Sequence, residues 1–326
     1  MVGSAGTPTR ISPYPGGRDD MNPGWRIIDL TSFSGSVKYE RGHIRLVGPE
    51  VDEKLPLAQL AVLLIGMRVS ISGAALAKLS EYDVALLVCD WKGVPVAGAY
   101  SWNPHTRIGA RQKAQSELTV PRRKQAWAAT VRAKVWGQVA TAESLSQRKQ
   151  PDLRELAKSV LSGDSGNVEA IAAKKYWSIL GSAKAFKRLP GSGADVFNST
   201  LDYGYTVLRG HGIRALNAAG LAGSLGVFHR GRSNQFNLVD DLIEPFRPMV
   251  DQVVFGSCEF ADEELTRETK QVVISAINLA PFDGTGRTAP TALEETAQMY
   301  GQYVEGELER FSPPKWSGEF RAPNRE

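Results

Sequence analysis

A change of hydrophobic period close to residue 105 constrains this chain more than any other feature. Between residues 25 and 102 the apolar residues fall in short runs, WRIIDL, GSVKYERGHIRLV, MRVSISG and YDVALLVCD, with Gly35, Gly42, Gly66 and Gly93 at their ends. Short runs punctuated by glycine read as strands and turns. Residues 57–66 and 74–81 read as short helices between them. From residue 107 onward the apolar positions recur at helical intervals, in RIGARQKAQSEL and in PRRKQAWAATVRAKVWGQVATAESL, where Pro121 suits a first helical turn. Further helical patterns follow at 153–161 and after Glu169 and Asn198, and two more flank the PFDGTGRTAP turn, with Val272, Ala276, Leu279, Leu293, Met299 and Val304 as their buried positions. The expected class is α+β: a small β-rich domain at 23–102, a linker at 103–110 that carries the lone His105, and a larger all-helical domain at 111–311. The Gly/Pro/Ser-rich arm 1–22 and the tail 312–326 are expected to be flexible.

At 326 residues and 42% hydrophobic content, the chain can bury a large core. Cys89 and Cys258 lack metal spacing and read as reduced packing residues. No segment is long and apolar enough to span a bilayer, and no basic leader precedes an apolar run, so a cytoplasmic protein without a membrane partner is expected. The net charge of +4 conceals two cationic regions: residues 107–150 hold ten basic and two acidic residues, and 174–232 hold nine and two, whereas 240–326 hold eight and seventeen. Such regions suit phosphate tracking or are solvated helical faces. Arg122, Arg123, Lys124 and Arg132 are expected to form an exposed stripe that grips a DNA backbone without reading bases.

The chemistry concentrates in GLAGSLGVFHRGRSNQFNLVDDLIEPFRPMVDQ, residues 220–252. His229 stands in a Gly/Ser/Arg-rich loop beside Arg230 and Arg232, and Glu244 follows fifteen residues later. Leu238, Leu242, Phe246 and Met249 share one helical face and Asp240, Glu244, Arg247 and Asp251 another, so Glu244 is expected to project from the polar side of a single helix. A third metal-ligand candidate is Glu169, in GNVEAIAAKKYWSIL, whose helix has Ser165 or Asn167 as its natural N-cap. Spacing alone leaves ordinary alternatives open. Glu169 also reads as a helix-surface carboxylate, His229 as an exposed or N-capping side chain, and Glu244 as the salt-bridge partner of Arg247 or Arg230. Tyr203, Tyr205 and His211 are either core residues or nucleotide contacts, and the loop FKRLPGSGADVFN is either a substrate contact or a plain interhelical turn.

Four motifs in order, ExxxAxxYW at 169–177, NSTLDYGYTVLR at 198–209, LAGSLGVFH at 221–229 and DDLIEPFRPMVD at 240–251, resemble the CRISPR-associated adaptation integrase family, the nuclease that inserts new spacers into a CRISPR array. PLAQLAVLLIG, SISGAALAKL and LLVCDWKGVPV carry the resemblance through the N-terminal region. The His229 to Glu244 spacing and the FRP that follows look most like the version found with type II systems.

The resemblance implies a twisted N-terminal β-sandwich that makes a homodimer, to which Val69, Ile71 and Leu87 belong unless they fill the sheet core. It implies that Glu169, His229 and Glu244 hold a catalytic Mg²⁺ or Mn²⁺, with Asp241 and then Asp240 as rivals for the third position. It also implies attack by the 3′-hydroxyl of a foreign DNA fragment on the double-stranded repeat. The implied partners are a small second adaptation protein, in a 4:2 complex, and the type II effector nuclease. Residues alone leave three rival functions standing: a metal-dependent repair nuclease acting on branched DNA, a non-catalytic DNA-binding scaffold, and a small-molecule metallohydrolase.

Overall fold

The computed structural model describes residues 26–91, 95–102, 106–182, 186–257 and 264–320. The expectations for the N-terminal arm, Gly93, His105, Cys258 and the last six residues of the tail lie outside the described residues.

Among the described residues eight strands make the N-terminal region: β1 (Arg26–Leu30), β2 (Gly35–Glu40), β3 (His43–Val47), β4 (Asp52–Pro56), β5 (Leu60–Ile65), β6 (Val69–Ile71), β7 (Ala85–Cys89) and β8 (Pro95–Ala99), with helix α1 (Gly73–Glu81) before β7. They form two four-stranded sheets, ordered β1-β5-β7-β8 and β4-β3-β2-β6. The sheets share a core of Leu30, Val37, Ile44, Leu46, Leu63, Ile65 and Leu86. The helix expected at 57–66 is corrected: a single 3₁₀ turn at Leu57–Gln59 leads into β5, which pairs in parallel with β1 and β7. The cause is burial on both sides. Leu63 and Ile65 face the sandwich interior, while Ala61, Val62 and Leu64 join the core of the helical region. A central parallel strand covered on both faces has no polar alternation to distinguish it from a buried helix.

Nine helices follow among the described residues: α2 (Ile108–Ser116), α3 (Val120–Ser146), α4 (Pro151–Ser159), α5 (Val168–Gly181), α6 (Val196–Ala218), α7 (Asn237–Leu242), α8 (Arg247–Ser257), α9 (Arg267–Leu279) and α10 (Ala289–Glu305). The long α3 packs against α4, α5 and α8, and α6 lies between the sheet and α8, α9 and α10. Glycines let α6 make these approaches. A Cβ on Gly204 would stand 2.4 Å from Val250 Cγ1, and one on Gly210 would stand 2.9 Å from Val62 Cγ1 of β5. No helix among the described residues is long and apolar enough to cross a membrane.

Three further expectations change. The single helix through 240–251 is broken: a 3₁₀ turn, Glu244–Phe246, separates α7 from α8. Pro245 has no N–H to donate and opposes a continuous helix. Its break turns Glu244 and Asp251 inward, so both are buried instead of lining a solvated face. The segment 312–320 is packed and not loose, because Trp316 is buried and donates its indole N–H to Gln252 Oε1 at 2.7 Å. A tryptophan offers a large apolar area with one polar atom to satisfy, enough to anchor a segment without regular structure. Leu279, expected in the core, is exposed at the end of α9.

Gly204→Val should lower the unfolding free energy by about 1–3 kcal/mol, the usual effect of overpacking a filled contact. Urea denaturation would measure it, and an unchanged midpoint would show that α6 and α8 can separate without loss.

Candidate active site

A cluster of buried and half-buried charges lies where α3, α5 and the Glu244 turn meet. Lys134 comes from the middle of α3. Its Nζ lies 2.7 Å from Glu169 Oε1 and 2.6 Å from Glu244 Oε2, so one ammonium joins two carboxylates from separate elements. Arg247, at the start of α8, places Nε 3.1 Å from Glu244 Oε1, and the Glu244 to Arg247 pairing that spacing had offered does form. The Glu244 side chain is only 5% exposed. Burial opposes its charge, but the Arg247 and Lys134 cations overcome that and hold its carboxyl below the usual range. Burial likewise works against the Lys134 ammonium, and the Glu244 and Glu169 carboxylates more than offset it, raising the lysine above its ordinary value. Removing one partner from such a buried group costs about 3–5 kcal/mol.

Local capping brings Glu169 into this centre. Asn167 takes a left-handed conformation (φ 51°) and does not cap α5 with its side chain. Asp164, and neither Ser165 nor Asn167, supplies the cap, accepting from the backbone N–H groups of Val168 at 2.9 Å and Glu169 at 3.0 Å. Glu169 therefore sits in the first helical turn, where the unpaired N–H groups favour negative charge.

His229 belongs to the loop between α6 and α7, and Asp241 of α7 fixes it. The buried Asp241 carboxylate accepts from the backbone N–H groups of Val227 (2.5 Å), Phe228 (2.9 Å) and His229 (3.2 Å). It also lies 2.7 Å from His229 Nδ1. With four donors converging on it, Asp241 is spent on organising the loop. The bond to Asp241 raises the His229 pKa against the opposing effect of burial, and the Glu244 charge adds to the rise.

Other sequence candidates resolve differently. Asp240 pairs with Arg209, Nε to Oδ1 at 3.0 Å. Tyr203 donates to Asp29 at 3.0 Å, Tyr205 donates to Asp251, and His211 is buried against Asn278 at 3.1 Å, its pKa pushed down to about 3 by burial. Tyr203 and His211 are buried, and Tyr205 is half-buried against the core. The loop after α5 is tied to α6 through Arg188, which donates to Asn198 Oδ1 at 2.9 Å and to Asp202. The expected four-residue stripe is only partly a free surface. Arg122 donates to the Tyr303 and Leu308 carbonyls and stacks over the Tyr303 ring, and Arg123 donates to the Leu118 carbonyl. Lys124 and Arg132 are exposed, although Arg132 also donates to the Val160 carbonyl.

Among the described residues no three His, Cys, Asp or Glu side chains stand together as a metal cluster: Glu169 and Glu244 converge on Lys134, and His229 is not brought into contact with them. The donors nevertheless suit a hard divalent ion. Glu244 Oε2 is buried and touches Lys134 Nζ without a properly directed hydrogen bond, leaving a carboxylate oxygen short of a partner. With Nδ1 held by a carboxylate, His229 keeps Nε2 for ligation, the usual way a metal-binding imidazole is oriented.

The protein is a β-sandwich followed by a helical region in which two carboxylates meet on one lysine, while Asp241 holds a half-exposed histidine that feels the Glu244 charge. Residues 30–274 match the family described as CRISPR associated protein Cas1, and this chain belongs to that family. It is 34% identical over 261 residues to the CRISPR-associated endonuclease Cas1 of Neisseria meningitidis serogroup C, covering 78% of this chain and 83% of that protein. Its fold is shared with a casposase bound to integration product (TM-score 0.74, 19% identity, 91% of this chain and 96% of the other). It is also shared with a chain of a Cas6-RT-Cas1–Cas2 complex (TM-score 0.71, 17% identity, 95% and 38%).

Because His229 has a raised pKa when folded, its link to Asp241 contributes stability that is complete below the unfolded value of 6.5 and is lost as pH rises through the folded one. In metal-free protein, Asp241→Asn should move the His229 titration, followed by NMR, to lower pH. An unmoved midpoint would mean that Asp241 does not set the imidazole's charge.

Proposed function

We propose that this chain is a divalent-metal-dependent DNA integrase in which Glu169, His229 and Glu244 hold the ion. Membership of the Cas1 family makes it a nuclease or integrase of CRISPR spacer acquisition. The observation that carries the finer reading is the convergence of Glu169 and Glu244 on one cation position, 2.7 and 2.6 Å from Lys134 Nζ. A bound Mg²⁺ or Mn²⁺ would polarise the phosphodiester and favour ionisation of the attacking oxygen.

The chain's own groups divide the remaining work. Glu169 and Glu244 offer hard oxygens to the ion. Asp241 holds His229 through Nδ1, which leaves Nε2 as the nitrogen available to the ion. Lys134 keeps the two carboxylates together without the ion, and beside it becomes a cation available to the phosphate. Arg230 and Arg232, exposed next to His229, add charge where the strand backbone passes. None of these roles needs a covalent protein intermediate. The attacking group is the 3′-hydroxyl of the incoming fragment, and the bond formed to repeat phosphorus releases one new 3′-hydroxyl.

The proposed assembly is a homodimer acting on double-stranded DNA, with two dimers bridged by the small second adaptation protein. The Cas6-RT-Cas1–Cas2 complex that shares this fold pairs Cas1 with Cas2, which supports that partner. The His229 to Glu244 spacing and the PFRP that follows support a type II setting and its effector nuclease as a further partner.

Joining assays decide between this reading and its rivals. A fragment with free 3′ ends, a repeat target, the small partner and Mn²⁺ should give covalently joined strands. Glu169→Gln, His229→Ala and Glu244→Gln should each reduce joining at least about 100-fold while DNA binding stays within a few-fold, since the loss falls on the transition state. A fragment lacking its 3′-hydroxyl should bind and not join. Cutting without joining would favour a repair nuclease, and binding without either reaction would favour a scaffold.

A further inference from the structure

We propose that Phe228 is a stacking platform for an unpaired base of the strand whose 3′ end enters the site; the inference rests on the integrase reading above. Phe228 is 52% exposed, yet it is held rigidly. On one side its ring lies flat against Trp127, centroids 4.3 Å apart and planes 5° from parallel. Trp127 is only 2% exposed and is fixed in α3, so the stack has a buried floor. The Phe228 backbone is fixed too, because its N–H donates to the buried Asp241 carboxylate at 2.9 Å. The half-exposed phenyl ring is therefore a prearranged flat surface and not a loose side chain.

Its surroundings identify the ligand. His229 follows directly, its ring 5.7 Å from Phe228 and nearly perpendicular to it at 84°. A planar group laid on the open part of Phe228 continues the Trp127–Phe228 stack and lies beside the imidazole. Trp127 and Lys134 are seven residues apart on α3, two turns and so about 10 Å along the same helix face. The platform thus adjoins the carboxylate pair and not a remote surface. Arg230 and Arg232 are exposed on the same loop, which adds cations suited to a phosphodiester backbone. A flat apolar ring flanked by arginines is the chemistry of single-strand binding, where stacking accepts any base and cations follow the phosphates. Inside a duplex both faces of a base are covered, so the occupant is an unpaired base; a blunt end, the one place where a paired base shows a face, is the control in the test below. Phe228 acts as a positioning residue: by seating the base it limits where the attached 3′-hydroxyl can lie.

A fluorescent adenine analogue at the last unpaired 3′ position, in a fragment lacking the terminal hydroxyl so that nothing joins, reports stacking directly. Wild-type protein should quench it on binding. Phe228→Ala should abolish the quench and weaken binding of the tailed fragment by roughly 5- to 100-fold, the range found for loss of one base–aromatic stack, while binding of a blunt duplex is unchanged. Phe228→Tyr should restore both effects. Phe228→Leu, apolar but not aromatic, should not. Thermal melting of each variant confirms folding, and the exposed ring makes large losses unexpected.

A quench that survives Phe228→Ala, or a Leu variant equal to Tyr, overturns the platform. So does a Phe228→Ala variant that loses only binding of the small protein partner, since the ring would then be a protein contact. These outcomes leave the integrase reading intact, whereas that reading fails separately if joining is insensitive to Glu169, His229 and Glu244.

Discussion

The helical region is organised by one ammonium group set between two carboxylates. Lys134 lies in α3, the element against which α4, α5 and α8 pack, and its contacts with Glu169 and Glu244 tie α5 and the turn before α8 to that helix. Three buried or half-buried charges would be intolerable singly. Together they balance one another in charge, with Arg247 beside the second Glu244 oxygen. The arrangement holds two acidic oxygens a few ångströms apart without an ion, and like charges at that separation need a cation between them.

The rest of the fold delivers residues to this point. Pro245 breaks the helix and turns Glu244 inward. Asp164 caps α5 and sets Glu169 in the first turn. Asp241 gathers three consecutive backbone N–H groups together with the His229 ring. The small residues of α6 bring the β region close, with Gly210 against Val62 of β5. Farther along α8, Asp251 accepts from Tyr176 at 2.9 Å and from Tyr205, and burial pushes its pKa up to about 6. Those bonds tie α8 to α5 and α6.

Much of this was legible in residue order, and the failures have physical causes. The change of period near residue 105 gave the two-part α+β arrangement because strand and helix place apolar residues at different intervals. The same rule misassigned β5, where burial on both faces erases alternation. Glu169, His229 and Glu244 stood out as ligand types in promising loops and turns. Asp241 and Glu244, three residues apart, could be ranked only by resemblance, and the observed hydrogen bonds give Asp241 a separate task in holding the His229 loop. Lys134 escaped notice because it lies next to Val135 in an apolar helix stripe, where a lysine reads as a side chain reaching for solvent. Its acidic partners are 35 and 110 residues away in sequence, and no periodicity reports such a pairing. Arg122 failed in the opposite direction, since a basic run gave no sign that it would be drawn onto the carbonyls of Tyr303 in α10 and of Leu308 just beyond it.

If Lys134 marks the position at which Glu169 and Glu244 accept a divalent cation, removing its ammonium must change the affinity for metal. Calorimetric titration of Mn²⁺ into folded wild-type protein and folded Lys134→Met reads that change. One site per chain is expected in both, tighter in Lys134→Met because the competing ammonium is gone, and lost from either background on adding Glu169→Gln. Equal Mn²⁺ affinity in wild type and Lys134→Met, or binding that survives Glu169→Gln, would contradict the assignment.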